Sequence, residues 1–366
     1  MARPRIICTV TNDLHQDQRM HRICQALAEA GFDVWLVGRL KPDSRPLPHQ
    51  TYRSHRLTCR YQKGKLFYLE FNLRLLFFLL RHPARYINAV DLDTLLPGYL
   101  AARWHGAACI YDAHEYFTET PEVVRRPAVR RVWSWLAGWL IPRADAAYTV
   151  GHALAEALGR RYGRPFGVVR NLPMRNPAHP TAASATRVLL YQGMLNEGRG
   201  LEAAIMAMRQ LPDCELWLAG DGDMRIQLQQ LAAREQLSHR IKWLGFVPPA
   251  RLPELTRQAW LGLNLLENTG LSYYYSLANK SLDYIQCGLP SINMDFPEYR
   301  ALHQRYGVFV LLPELSAQAL AQAVLALIAH PGRYEALRQA CLSAAPELCW
   351  EQEKESLLQW YHSPGK

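Results

Sequence analysis

The sequence predicts an α/β protein of two doubly wound domains of comparable size, and three observations lead there. The chain has 366 residues, more than the length over which one hydrophobic core keeps growing. Short apolar runs alternate with helical patterns in both halves, the signature of strand, helix, strand units that build parallel sheets. A Pro- and Ala-rich segment, Asn171 to Thr186 with prolines at 173, 177 and 180, breaks the alternation between the halves.

The first half opens on the apolar run Arg5 to Val10. A polar loop follows, then a helical pattern through Met20, Ile23, Cys24 and Leu27 that Gly31 stops. Val34 to Val37 is the next strand, and the same signal recurs at Ala107 to Tyr111, Ala146 to Val150 and Phe166 to Val169. Residues 1–170 therefore form one expected domain and 171–186 a linker. In the second domain, 187–345, strands are expected at Arg187 to Gln192, Glu215 to Ala219, Ile241 to Leu244, Gly262 to Leu266 and Pro290 to Met294. Helices alternate with them at Leu201 to Met208, Met224 to Glu235 and Lys280 to Cys287. A last helix within 346–366 is expected to pack back toward the first domain. Two such domains enclose a cleft, and open parallel sheets bind ligands beyond the carboxyl ends of their strands.

Composition is ordinary for a folded chain, 49% apolar and 20% charged, with no low-complexity tract or repeat. Eight scattered cysteines include no C-x-x-C pair and read as buried thiols of a reducing compartment. Met-Ala-Arg-Pro-Arg leads straight into Ile6, Ile7 and Cys8, too short a run for a signal-peptide core, so a cytoplasmic location is expected. A net charge of +10 implies an anionic partner: nucleic acid, a phosphorylated substrate or a membrane surface. Nucleic acid is set aside, because no aromatic RNA-binding signature, zinc finger or basic zipper is present.

Two stretches suit an anionic membrane surface. Arg125, Arg126, Arg130 and Arg131 precede Trp133, Trp135, Leu136, Trp139 and Leu140, and indole rings favour headgroup depth. Lys63 to Arg81 carries Phe67, Phe71, Leu75, Phe78 and Leu79, but Glu70 and Arg74 interrupt it and it is too short to span a bilayer. The alternative for both is an amphipathic helix packed on the core.

Three segments carry chemistry. Tyr191-Gln-Gly-Met-Leu-Asn-Glu-Gly-Arg-Gly200 lies where a strand ends and a helix begins; its glycines admit close backbone approach, and Arg199 with the helix terminus favours phosphate. Ala219-Gly-Asp-Gly-Asp223 is a second Gly-rich strand end, containing Gly220 and Asp221. Ser276-Leu-Ala-Asn-Lys-Ser-Leu-Asp-Tyr-Ile-Gln-Cys-Gly-Leu-Pro290 opens a helix that Ser276 and Asn279 are expected to cap. Free amides there and the Lys280 ammonium would face a diphosphate, and Asp283, one turn on, would accept two hydrogen bonds from vicinal ribose hydroxyls. No His, Cys or carboxylate cluster has metal-ligand spacing, so no metal or cofactor is expected beyond a nucleotide sugar as co-substrate.

With these segments Val10-Thr-Asn-Asp-Leu14, Asp17-Gln-Arg19, Asp91-Leu-Asp-Thr-Leu95 and Tyr111-Asp-Ala-His-Glu-Tyr-Phe117 are collinear. The chain resembles, over essentially its whole length, bacterial glycosyltransferases of the large retaining family four, which have the GT-B fold. The resemblance implies that two Rossmann-like domains face a central cleft. It implies that Gly193, Arg199 and Lys280 surround the donor diphosphate, with Met194, Gly220 and Asp221 beside them, that Asp283 holds the ribose, and that Trp243, Gly245 and Phe246 line the base pocket. Tyr275, Ser276, Leu277, Ala278 and Asn279 would border the donor. His114, Arg199 and Lys280 would act in catalysis, and Asn12, Asp13, Asp91, Asp93 and Glu115 would bind the acceptor.

Two departures stand out. The family's glutamate pair, separated by seven residues, falls here on Tyr275 and Asp283, and Met194 stands where many relatives carry arginine. Glu267 would reach the sugar only if the Tyr-rich loop after it folds back. The resemblance implies transfer from a UDP- or GDP-sugar to a glycan or lipid-linked acceptor in surface-polysaccharide assembly, with retention and front-face attack. A nucleotide-sugar epimerase of the same fold and a non-catalytic partner subunit are the rival readings.

Overall fold

In the computed structural model, which describes residues 3–47, 49–176 and 186–362, the chain divides into two units. The first holds the chain up to Asn171 together with that from Glu353 onward, and the second holds Leu172–Gln352.

The first unit opens with β1 (Arg5–Asp13), α1 (Gln18–Glu29), β2 (Asp33–Leu40), β3 (Arg53–Thr58) and α2 (Gly64–Arg81). It continues through β4 (Tyr86–Val90), α3 (Leu92–His105), β5 (Ala108–Ala113), α4 (Pro121–Val124), α5 (Pro127–Leu140), β6 (Ala146–Thr149), α6 (His152–Tyr162) and β7 (Gly167–Val168). Its strands form one parallel sheet in the order β3-β2-β1-β4-β5-β6-β7. Residues Ile6 to Val10 are all buried, as a central parallel strand covered on both faces requires. Asp17 caps α1 by accepting the Met20 amide at 3.0 Å, and Met20, Ile23, Cys24 and Leu27 form its core stripe.

The second unit runs β8 (Arg187–Gln192), α7 (Leu201–Ala207), β9 (Cys214–Ala219), α8 (Arg225–Arg234), β10 (Ile241–Gly245), α9 (Leu252–Gln258) and β11 (Leu261–Asn264). Then come α10 (Leu271–Tyr274), α11 (Asn279–Gln286), β12 (Ser291–Met294), α12 (Pro297–Tyr306), β13 (Phe309–Leu312), α13 (Ala317–Ala329) and α14 (Pro331–Ala344). The sheet order is β10-β9-β8-β11-β12-β13, again parallel. Both sheets therefore show the doubly wound order that reverses beside the first strand, at β1/β4 and at β8/β11. Ligands of such sheets bind at those switch points.

The helix α15 (Trp350–His362) closes the chain. In the first unit its Tyr361 is fully buried against Phe32 and Tyr86, and Trp360 lies on Gly167, where a Cβ would come within 1.8 Å of the indole. Arg170 grips Glu353 through Nε at 3.0 Å and Nη2 at 2.8 Å.

The linker expected at 171–186 is partly corrected. Residues 172–176 are bonded into the second unit, with Trp350 N–H donating to Pro173 at 2.8 Å and Arg257 donating to Asn176 at 2.8 Å. Residues 177–185 lie outside the described residues. The sequence reading also passed over β3, β4 and β13. β4 is five consecutive buried residues, too short for any periodicity, and the edge strand β3 has the polar sequence Arg-Ser-His-Arg-Leu-Thr.

All eight cysteines are free, seven of them buried. Among the described residues no helix is long and apolar enough to cross a membrane. The two basic, aromatic helices each pack one face on the core and leave large apolar side chains exposed on another. α2 packs Phe67, Phe71, Leu75 and Leu79 inward while Leu69 and Phe77 stay more than half exposed, and α5 buries Ala137 and Leu140 while Val132 and Trp135 stand in solvent.

Candidate functional site

In the second unit the switch point brings together the ends of β8 and β9, the loop after β11 and the start of α11. Gly193 N–H donates to Ala219 at 2.9 Å, and a Cβ on Gly220 would sit 1.8 Å from the Gly193 carbonyl, so only glycine fits there. Gly193 adopts φ +135, and any Cβ on it would point at the Lys280 ammonium. Lys280 is buried at 9% exposure with Nζ 3.8 Å from the Tyr191 ring centroid, a cation held by a π face. Its pKa is pushed well below the ordinary lysine value, first by burial and then by the Arg199 charge. Arg199 lies 4.9 Å over the Tyr273 ring, and its Nε is buried without a hydrogen-bond partner. Neither cation has an ion pair with a carboxylate among the described residues.

Glu267 does come back to this loop: its amide donates to Gly198 at 2.9 Å and its carboxylate accepts from Gly200. Burial, then Glu202, raises its pKa. Asp283 accepts from Gln192 at 3.3 Å, and Gln192 in turn accepts from Thr256 at 2.9 Å, fixing the carboxylate one turn along α11 from Lys280.

The expected capping of α11 is corrected. The N-cap is Ala278, with no side-chain cap; Ser276 Oγ donates to the Tyr273 carbonyl at 2.8 Å and the Ala278 amide donates to Tyr299 Oη at 2.8 Å. Leu277 is buried. Ser276, Leu277 and Ala278 thus spend their polar groups or their side chain holding the loop, whereas Asn279 opens the helix. Tyr275 ends α10, its ring edge-on to Tyr274 at 5.1 Å. Asp221 is engaged locally, accepting from Gly222 at 2.9 Å and pairing with Arg225 at 3.4 Å, and Met194 is exposed. Trp243 and Gly245 stand on the edge strand β10, where Trp243 packs against the core, and Phe246 is 70% exposed.

In the first unit the β1/β4 switch point is acidic. Asp91 has φ +56, rare for a residue with a Cβ; its amide donates to Asp112 at 2.9 Å and its Oδ1 accepts the His114 amide at 2.9 Å. Asp93 accepts from Thr11 Oγ1 at 2.7 Å while its Oδ1 is buried without a partner. Burial lifts Asp93 to about 6 despite that bond, and lifts Asp91 well above the carboxylate range, with Glu115 and Asp93 adding repulsion. His114 keeps 45% of its side chain open, with Nδ1 4.0 Å from Asp91. Desolvation, then the Arg19 charge, pushes its pKa below the usual value. Arg19 itself is buried and pairs with the fully buried Asp112 at 2.7 Å.

Asn12 and Asp13 stand at the end of β1. Asn12 donates to Asp17 at 3.3 Å, while Asp13 accepts from the His15 amide at 3.2 Å and from Ser44 at 2.6 Å. These bonds fix the turn after β1. The residues that sequence reasoning missed are the supports: Tyr191, Gln192, Thr256, Tyr273 and Tyr299 in one unit, Arg19 and Asp112 in the other. Among the described residues no group of three or more His, Cys, Asp or Glu is arranged to hold a metal.

Residues 16–174 match the glycosyl transferase 4-like domain and residues 186–330 match glycosyl transferases group 1. A lipopolysaccharide core biosynthesis glycosyltransferase of Rhizobium meliloti is 29% identical over 89 residues, 23% of this chain and 26% of that relative. The match thus spans about a quarter of that relative's length. Sucrose-phosphate synthase of Thermosynechococcus elongatus superposes with a TM-score of 0.82 at 19% identity, covering 98% of each chain. Anabaena Alr3699/HepE in complex with UDP and glucose does so at 0.80 and 17% identity, covering 98% of this chain and 100% of that one. Two glycosyltransferase domains in tandem, each folded on a parallel sheet with its switch point equipped as above, make this chain a member of the glycosyltransferases of GT-B fold.

Proposed function

We propose that the chain moves a sugar from a UDP- or GDP-sugar to a glycan or lipid-linked acceptor, with retention and without a metal or other cofactor, at the inner face of the cell membrane. One observation carries the donor half: Lys280 and Arg199 converge on a Gly-lined strand end, and among the described residues neither has a carboxylate to neutralise it. Two adjacent cations in a water-poor site are costly unless an anion of matching charge occupies it, and a nucleoside diphosphate is such an anion. The relative named for lipopolysaccharide core synthesis supports a surface-glycan acceptor, and the neighbour solved with UDP and glucose supports the donor class.

In this reading the bond from the anomeric carbon to the diphosphate breaks while Lys280 and Arg199 stabilise the departing charge. The acceptor oxygen bonds the same face, and its proton passes to the leaving phosphate. The His114 ring hydrogen-bonds the sugar as positive charge develops on it. Asp91, Asp93 and Glu115 accept hydrogen bonds from the acceptor, and the basic, exposed faces of α2 and α5 meet anionic lipid.

The test is a thermal-shift panel of UDP-, GDP- and ADP-sugars, followed by transfer assays with the donor that binds. A donor at 100 times its Kd is expected to add about 2.7 kcal/mol of apparent stability. His114→Ala should keep that shift and lose transfer, by about 100-fold or more. Binding without transfer by the wild type, across glycan and lipid-linked acceptors, would instead make the chain a partner subunit, and full turnover in His114→Ala would remove His114 from the site.

A further inference from the structure

A cleft of about 710 Å³ lies in the first unit between the edge strand β3 and the second half of α2, at the opposite side of β2 from the β1/β4 switch point. Its walls are Trp35, Leu57, Phe77 and Phe78, and its polar groups are Arg74, Arg81, His55 and His82. The aromatic wall is continuous: His55 stacks on Phe78 at 4.6 Å and His82 lies 4.3 Å from Phe78 and 5.1 Å from Trp35. Behind it Arg5 and Arg53 stack on Trp35 at 4.5 and 5.2 Å. Arg5 is neutralised by Asp33 and Arg74 by Glu70, both at 2.8 Å. Arg81 has no acidic partner among the described residues. Being seven residues apart, Arg74 and Arg81 share one face of α2, about 10 Å from each other along its axis.

The same helix has a second anomaly. Leu66, Leu69, Leu73 and Phe77 form a stripe one residue-row away from the core stripe and are all exposed, so α2 is apolar on nearly every side without being enclosed. Such a helix is stable only if something apolar covers its outer face. Charge decides what. A chain of net charge +10 repels a second copy of itself at a basic face, and a basic rim around an aromatic cleft complements an anion that carries hydrocarbon.

We propose that this cleft binds an anionic phospholipid, with the phosphate at Arg81, the upper acyl chain against Trp35, Phe77 and Phe78, and the Leu66, Leu69, Leu73 and Phe77 stripe in the lipid interface. The inference rests on the reading that the chain works at a membrane surface and names the place on the fold where the lipid is held. It assigns that role to α2, leaving α5 as an accessory contact.

The experiment uses the full chain with vesicles of phosphatidylcholine alone or with phosphatidylglycerol, and with monomeric dihexanoyl-phosphatidylglycerol below its micelle concentration. Inorganic phosphate and dihexanoyl-phosphatidylcholine are the comparison arms. The wild type should bind the phosphatidylglycerol vesicles and the monomeric anionic lipid, and neither comparison arm should displace the latter at equal concentration. Arg81→Glu should weaken both by about 30-fold, since each basic side chain near an anionic surface contributes about one order of magnitude or somewhat less and the reversal counts twice. Phe77→Ser should weaken both as well, Trp135→Ser on α5 should leave monomeric lipid binding unchanged, and all three should keep the UDP-sugar thermal shift. Vesicle binding that survives Arg81→Glu and Phe77→Ser would leave the membrane reading standing and overturn the cleft. No binding of the wild type to anionic vesicles would overturn both, and displacement by inorganic phosphate alone would reduce the site to one for phosphate.

Discussion

Lys280→Ala is expected to weaken binding of the nucleoside diphosphate by about 2–5 kcal/mol, some 30-fold to several thousandfold, the range for removing one partner of a desolvated charge pair. Lys280 has no other partner to compensate: it is buried, its Nζ rests on Tyr191, and Arg199 repels it. The ligand-free variant should be at least as stable as the wild type, because the group removed is a cation in an unfavourable site. The sign follows from its depressed native pKa. Between that value and the ordinary 10.5 the unfolded chain binds more protons than the native one, so this residue makes ligand-free stability rise with pH across that window. Lys280→Met should abolish that contribution, and a saturating diphosphate should abolish it in the wild type by restoring the ammonium. Titration calorimetry with UDP and GDP, and urea unfolding between pH 7 and about 10, measure both; unchanged affinity would take Lys280 out of the donor site.

Arg19→Ala is expected to destabilise the protein by about 3–5 kcal/mol. It leaves the Asp112 carboxylate, which is 0% exposed and 2.7 Å from the Arg19 Nη2, without its cation, and it also removes the 3.3 Å bond from Arg19 to the Val169 carbonyl. Replacing both members by apolar residues of similar volume, Arg19→Met with Asp112→Leu, should recover most of that loss in urea unfolding, because no unpaired buried charge remains. The pair also sets the state of the neighbouring loop. The Arg19 charge lowers the His114 pKa, so in Arg19→Met a histidine-resolved NMR titration should find His114 shifted upward. A His114 titration indifferent to Arg19 would separate the pair from the site and leave it a structural feature.

Much of the second unit was legible because its strands are apolar runs of four to six residues set between helices with clear periodicity, and because glycines mark the strand ends where a ligand must approach. β8, β9, β10 and α11 lie within a residue or so of the expected bounds. What failed was local inference about hydrogen bonds. Ser276 and Asn279 have the composition of caps, yet Tyr299, twenty residues on and in α12, takes the Ala278 amide, and Ser276 turns to Tyr273. No spacing rule reaches a partner supplied by another helix. In the first unit, β3 and β4 escaped notice because a polar edge strand and a five-residue buried strand carry no periodic signal, and the bonds by which Asn12 and Asp13 hold the turn after β1 involve partners that no local pattern marks.

The sequence alone determined the two-domain α/β plan and the position of the glycine-lined strand ends, because each of these depends on local order along the chain. Only the tertiary structure decided what each charge is for. Among the described residues no carboxylate pairs with Lys280 or Arg199 and no acid pairs with Arg81 at its aromatic cleft, whereas Arg19 is paired with the buried Asp112. The physical reason is that the energy of a charged group is set by its burial and by partners distant in sequence, neither of which a linear pattern encodes.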